Sequence, residues 1–230
     1  MQARFERAYG PAPAALTLPN AGFLPRPRTA RPPRAPGAAL RVGLLANLTR
    51  AKGLHEMIAL AREIARRGLP AEIRLAGPVR DPADRAALEA ALADPALALA
   101  WDGPRHGAAK DAWYAAIDLF CLPTTHPDEA QPLVLYEAAL AGVPALAWAR
   151  GAIPEQLDAP EAALPTHRPF APWAADRIAA LIAEPARLAA RAAAARARAE
   201  DDAARAEAAM HRLLAADAPG EAPRTPPGDR

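Results

Sequence analysis

The chain has 230 residues, room for one large or two small domains, and its 28 basic and 26 acidic groups leave a formal net charge of only +2, so it is no whole-surface nucleic-acid binder. It holds 66 alanines, 27 prolines and 26 arginines against two lysines and no serine, which excludes Ser-His-Asp hydrolases and Ser-x-x-Lys enzymes. The single cysteine rules out a disulfide framework and a cysteine-rich zinc module; Cys121 reads as a buried structural thiol in the apolar run Asp118-Leu119-Phe120-Cys121-Leu122.

Residues 1–40 carry eight prolines, with Arg26, Arg28, Arg31 and Arg34 alternating with Pro, and read as a linker or the remnant of a preceding domain. The basic run has two meanings, a solvated linker, which is the commoner one, or a peripheral contact to acidic lipid or phosphate. Residues 41–167 alternate short apolar runs with helical patterns. Strands are expected at Leu40–Ala46, Ala71–Ala76, Leu97–Trp101, Asp118–Pro123 and Pro144–Trp148, with a weak sixth near Ala162–Leu164. Helices are expected at Leu54–Arg67, whose apolar Leu54, Met57, Ile58, Ala61, Ile64 and Ala65 recur at helical spacing, and at Asp81–Ala93, Ala108–Ala116 and Pro132–Ala141. Asp81 is placed as an N-cap before Pro82, and Pro132 as a first helical residue. Residues 168–216 read as one or two Ala/Arg/Glu helices broken near Glu184-Pro185, with a thin hydrophobic face. Residues 217–230 read as a disordered tail. Strand–helix alternation predicts an α/β fold, a Rossmann-like parallel sheet with helices on both faces and C-terminal helices appended.

No stretch approaches the roughly 18 apolar residues of a membrane span, and the N-terminus lacks a signal-peptide core, so a cytoplasmic chain without a transmembrane segment is expected.

In such sheets ligands sit beyond the carboxyl ends of the strands, and three strand-end loops carry candidate chemistry. Ala46-Asn47-Leu48-Thr49-Arg50-Ala51-Lys52-Gly53 offers a glycine for close backbone approach and one of only two lysines in the chain, at a helix start suited to an anion. Thr124-Thr125-His126-Pro127-Asp128-Glu129-Ala130-Gln131-Pro132 ends at a helix whose first amides, about 130–134, are free to meet an anion. Glu129 and Glu137 stand eight residues apart there. They read equally well as carboxylates for sugar and ribose hydroxyls or as ordinary helix-terminus and helix-surface acids. Trp101-Asp102-Gly103-Pro104-Arg105 exposes backbone able to read a nucleobase edge; Trp101 itself reads by default as a partly buried strand-end residue, and His126 as a turn residue. The histidines show no metal-ligand spacing, and no G-x-G-x-x-G or phosphate-loop signature is present.

The motifs Val42-Gly43-Leu44-Leu45-Ala46-Asn47-Leu48 with Lys52-Gly53-Leu54, Leu122-Pro123-Thr124 with Glu129-Ala130-Gln131-Pro132-Leu133-Val134-Leu135-Tyr136-Glu137-Ala138, Ala141-Gly142-Val143-Pro144-Ala145 and Gly151-Ala152-Ile153-Pro154-Glu155 resemble the family-4-type retaining glycosyltransferases of the GT-B fold. The resemblance runs from about residue 16, at Leu16–Gly22, to about residue 215. It implies the donor-binding half of such an enzyme. Lys52, with Gly53, would meet the donor diphosphate, Glu129 the transferred sugar and Glu137 the ribose hydroxyls. Amides of Gln131, Leu133 and Val134 would meet sugar and phosphates. Many members carry Gly-Arg where this chain has Ala46-Asn47, so Asn47 or Arg50 replaces a second cationic contact only in part. The resemblance implies a nucleoside-diphosphate-sugar donor and no metal, consistent with the absence of Asp-x-Asp. It also implies that an acceptor-binding half lies elsewhere, in a separate N-terminal chain for example, and that residues 185–216 pack poorly unless a partner covers them. A non-catalytic nucleotide-sugar-binding or regulatory subunit is the alternative.

Overall fold

The computed structural model describes residues 2–11, 16–29, 31–32, 34–35 and 37–216. In chain order the elements are α1 (Gln2–Tyr9), a 3-10 turn (Asn20–Phe23), β1 (Leu40–Leu45), α2 (Leu54–Arg67), β2 (Ala71–Ala76), α3 (Pro82–Leu92), β3 (Leu99–Trp101), α4 (Gly107–Ala116), β4 (Leu119–Leu122), α5 (Leu133–Leu140), β5 (Ala145–Trp148), α6 (Ile153–Leu157), a second 3-10 turn (Pro160–Ala162), β6 (Ala163–Leu164), α7 (Phe170–Ala183) and α8 (Pro185–Ala216).

The six strands form one parallel sheet in the order β3-β2-β1-β4-β5-β6. Every residue of β4 and β5 is buried, as expected of central parallel strands covered on both faces. The chain leaves β1 toward β2 and β3, then returns past β1 to β4. The order therefore reverses between β1 and β4, the switch point at whose carboxyl ends ligands of open parallel sheets bind.

Local chemistry sets the element ends. Asp81 caps α3 by accepting from the amides of Ala83 and Asp84, both at 2.9 Å. Gly68 ends α2 in the left-handed conformation. β3 starts two residues later than its apolar run suggests, because the Asp94 carboxylate and carbonyl hold Ala96 and Leu97 in a turn. Pro132 stands outside α5 rather than at its first position: its ψ of 126° is extended. On α2, Leu60 is buried and Ala65 faces solvent.

Two segments among the described residues of 1–40 have regular structure. Gln2–Tyr9 is helical and ends at Gly10, whose N–H bonds the Glu6 carbonyl; the prolines that suggested a linker begin at residue 11. The 3-10 turn packs on α8 and α5, with Ala21 fully buried. The expectation of a poorly packed final helix is corrected accordingly. Ala199, Ala203, Ala206 and Ala209 of α8 are all buried, and Ala206 Cβ comes so close to Gly22 that a side chain there would lie 2.5 Å from it. Alanine contributes little area per residue, but its small size lets the backbones approach. The expected tail, 217–230, lies outside the described residues.

Asp118 anchors the segment that enters β1. Its carboxylate accepts from Arg41 N at 2.9 Å and Arg31 Nη2 at 2.6 Å, and Arg31 also reaches the Gly142 carbonyl. Asp118→Ala leaves the part-buried Arg41 amide and the Arg31 guanidinium without their acceptor, and is expected to cost about 1–2 kcal/mol, read as a lower urea midpoint at unchanged slope.

Candidate functional site

The site lies where the loops after β1 and β4 meet at the β1/β4 switch point. The loop after β1 is a tight turn: Lys52, Gly53 and Leu54 amides bond Thr49 and Arg50 carbonyls, and Lys52 N also reaches Thr49 Oγ1. Gly53 closes it at φ 95°, so near β4 that a Cβ would lie 2.6 Å from the Pro123 carbonyl oxygen. Thr125 N and the hydroxyls of Thr124 and Thr125 then bond the Ala51 carbonyl, fastening the two loops together.

This fastening brings Lys52 and Glu129 into contact. Lys52 Nζ donates to Glu129 Oε2 at 2.5 Å, and the fully buried Thr124 hydroxyl, whose single proton is shared with the Ala51 carbonyl, lies 3.2 Å from the same oxygen. The ammonium keeps 29% of its side chain exposed and the carboxylate 10%, so the cation is the more open member. On the far side of Glu129, the Ala152 amide bonds the Ala130 carbonyl at 2.7 Å. Beside the pair, α5 begins with no side chain capping it, so the helix dipole and first-turn amides of Leu133 and Val134 end at this loop.

Glu137 does not join that pair. Lys110 Nζ donates to its Oε1 at 2.5 Å and Tyr114 Oη to its Oε2 at 3.0 Å. Both partners come from one face of α4. Both lysines of the chain are thus engaged with the two glutamates of the eight-residue spacing. The scarcity of lysine pointed to Lys52; applied evenly, it would have pointed to Lys110 as well.

The remaining candidates have ordinary structural partners or lie open. Gln131 faces the 3-10 turn: Asn20 N donates to its Oε1 at 2.9 Å, Asn20 Nδ2 to its carbonyl, and its Nε2 to Tyr136 Oη. Asn47 and Arg50 are exposed, and the Arg50 amide bonds Asp84 at 3.2 Å. Gly103, at φ 68°, accepts from the Gly77 amide at 2.9 Å. Trp101 donates to the Gly77 carbonyl, with the Arg85 guanidinium 5.4 Å over its ring. His126 serves its turn, its amide on Thr124 Oγ1 and its Nδ1 accepting from Asp128 N. Among the described residues, no group of three or more His, Cys, Asp or Glu side chains is gathered to hold a metal ion, and no helix is long and apolar enough to cross a membrane.

Burial pushes the Tyr114 hydroxyl well above its ordinary 10.0, and the adjacent Glu137 charge pushes it further. The folded-state value is raised, so the associated stability is fully present below about pH 10 and is lost as pH rises toward the shifted value. The native chain should therefore lose stability above that pH more steeply than Tyr114→Phe, as read from urea midpoints across the alkaline range. Cys121 is fully buried and its thiol is likewise pushed up, in keeping with a structural role.

Sheet order, helices on both faces and appended C-terminal helices define a Rossmann-like α/β unit. Residues 39–184 match the family model described as glycosyl transferases group 1, and the chain belongs to that family. Solved structures with the same fold include HepE from Anabaena in complex with UDP (TM-score 0.65, 22% identity, 77% of this chain and 49% of that one). A glycosyltransferase from Rickettsia africae (0.63, 12%, 79% and 48%) and sucrose-phosphate synthase from Thermosynechococcus elongatus (0.57, 19%, 86% and 50%) share it as well. The chain spans about half the length of the HepE structures it matches. No curated protein matches significantly.

Proposed function

We propose that this chain is the donor-binding half of a retaining glycosyltransferase, taking a sugar from a nucleoside-diphosphate sugar and relying on an acceptor-binding half supplied elsewhere. The observation that carries the reading is the Lys52–Glu129 contact at the β1/β4 switch, beside the uncapped start of α5. An incoming diphosphate offers Lys52 a doubly charged partner in place of the single carboxylate. Glu129, released from the ammonium but still held by Thr124, then accepts hydroxyl protons from the transferred sugar. Leu133 and Val134 amides meet the phosphates, and Glu137 takes the ribose diol. As the sugar leaves, charge collects on the diphosphate, where Lys52 and the helix start are fixed in advance. The reading assigns no metal to this step. Asn47 brings no charge to it, so the exposed Arg50 is the loop's remaining cation.

Family membership supports the reading, as does the fold shared with HepE, whose crystal structures are described with UDP and with UDP-glucose. Thermal unfolding with UDP, GDP or ADP tests it: one of them should stabilise the chain by about 2.7 kcal/mol at a hundredfold excess over Kd. No shift at millimolar nucleotide overturns it. Binding without transfer, once an acceptor half is present, would instead indicate a non-catalytic nucleotide-sugar-binding subunit. NMR of the product's anomeric configuration tests retention.

A further inference from the structure

We propose that Lys110 and Tyr114 are positioning residues that set the nucleoside selectivity of the site by fixing the Glu137 carboxylate for a ribose diol. The proposal rests on the reading above, in which Glu137 meets the ribose.

Lys110 and Tyr114 stand four apart on α4, so their side chains share one face of the helix. They hold the two oxygens of one carboxylate, Lys110 Nζ on Oε1 at 2.5 Å and Tyr114 Oη on Oε2 at 3.0 Å. Tyr114 is 2% exposed and braced at its ring by Trp113 and Phe120, with centroids 5.4 and 5.9 Å away. One donor is therefore immobile, and the other is the second of two lysines in a chain that otherwise uses arginine. Two donors from one side fix the plane of the carboxylate as well as its position. Each oxygen has a lone pair left over, so both can still accept, which is the requirement for two adjacent hydroxyls. An unbraced glutamate would have to give up rotamer freedom on binding; this one has already done so. The space beside the pair is about 20 Å³ and is walled by Pro25 and Pro27, so seating a ribose there requires residues 25–27 to shift.

A clamp that merely joined α4 to α5 would weaken every ligand equally when cut, whereas a positioning bracket changes the discrimination between sugars. The test is calorimetric: Kd for UDP, GDP and ADP against their 2′,3′-dideoxy counterparts, in the native chain, Lys110→Met, Lys110→Arg and Tyr114→Phe. The native chain should prefer the ribose form. Lys110→Met should lose about tenfold of that preference, the weight of one hydrogen bond to a charged group, with Tyr114→Phe losing less and Lys110→Arg recovering most of it. Inorganic pyrophosphate should bind native and Lys110→Met chains alike. Lys110→Met and Tyr114→Phe chains that keep the native preference overturn the proposal while leaving the donor-site reading intact. If Lys110→Met does not fold, Tyr114→Phe decides alone. A native chain that binds none of the three diphosphates overturns both.

Discussion

Lys52→Met is expected to weaken nucleoside-diphosphate binding about 30- to 100-fold and to lower the melting temperature of the free chain by a few degrees. The two halves of this expectation have different origins. Lys52 keeps 29% of its side chain exposed but Glu129 only 10%, so removing the ammonium leaves a mostly buried carboxylate short of a partner, at a cost of about 1–3 kcal/mol to folding. Toward a diphosphate, the same ammonium is a charge-assisted donor at the start of a helix, and such bonds weigh about 1.5–3 kcal/mol. The substitution also strips Glu129 of its cation, so an incoming phosphate meets a carboxylate held by Thr124 alone. Lys52→Arg keeps the charge but changes the head group's shape, and should recover part of the affinity. Calorimetric Kd values for the three proteins check this ordering.

Gly53→Ala should damage fold and site together. The residue has φ 95°, and a Cβ there would lie 2.6 Å from the Pro123 carbonyl oxygen, a backbone atom that cannot swing aside. Left-handed strain costs an alanine about 1–2 kcal/mol, and forcing apart two packed backbones about 1–3 more. The sum, on the order of 3 kcal/mol, should lower the melting temperature by about 10 °C in a chain of this size. Because the Ala51 carbonyl is the hub that Thr124 and Thr125 bond, separation of the loops also moves Lys52 away from Glu129. Gly68→Ala serves as the comparison. It also has a positive φ, at 61°, but a Cβ there meets nothing within 4 Å, so it should carry only the conformational cost and leave nucleotide binding untouched.

Much of this arrangement was legible in the residues. Short apolar runs separated by helical periodicities lead directly to a parallel sheet, because continuous hydrophobic strands are what burial on both faces demands. Boundaries moved by a residue or two where caps and turns intervened, as at Pro132 and at Asp94 before β3. The Lys52–Gly53 turn and the carboxylate at 129 were visible because glycine, lysine and a helix start fell together. Partners contributed by distant segments were not. Asn20 reaches Gln131 across 111 positions, and Tyr136 reaches Asp202 across 66, with no local pattern to announce either. Lys110 was missed for a different reason: it stands in the interior of an amphipathic helix, where a lysine reads as a solvated surface residue until α5 is placed beside it. The face of α8 was misjudged because alanine was weighed by hydrophobic area rather than by how closely it allows two backbones to approach.

The central claim is that the loops at the β1/β4 switch point receive a nucleoside diphosphate through Lys52. A crystal structure of the chain with whichever of UDP, GDP or ADP stabilises it tests that claim most directly. The account predicts the diphosphate within hydrogen-bond distance of Lys52 Nζ and the amides of Leu133 and Val134, with Glu129 released from the lysine and the ribose hydroxyls on Glu137. A nucleotide bound away from those loops, with the Lys52–Glu129 contact intact, would contradict it.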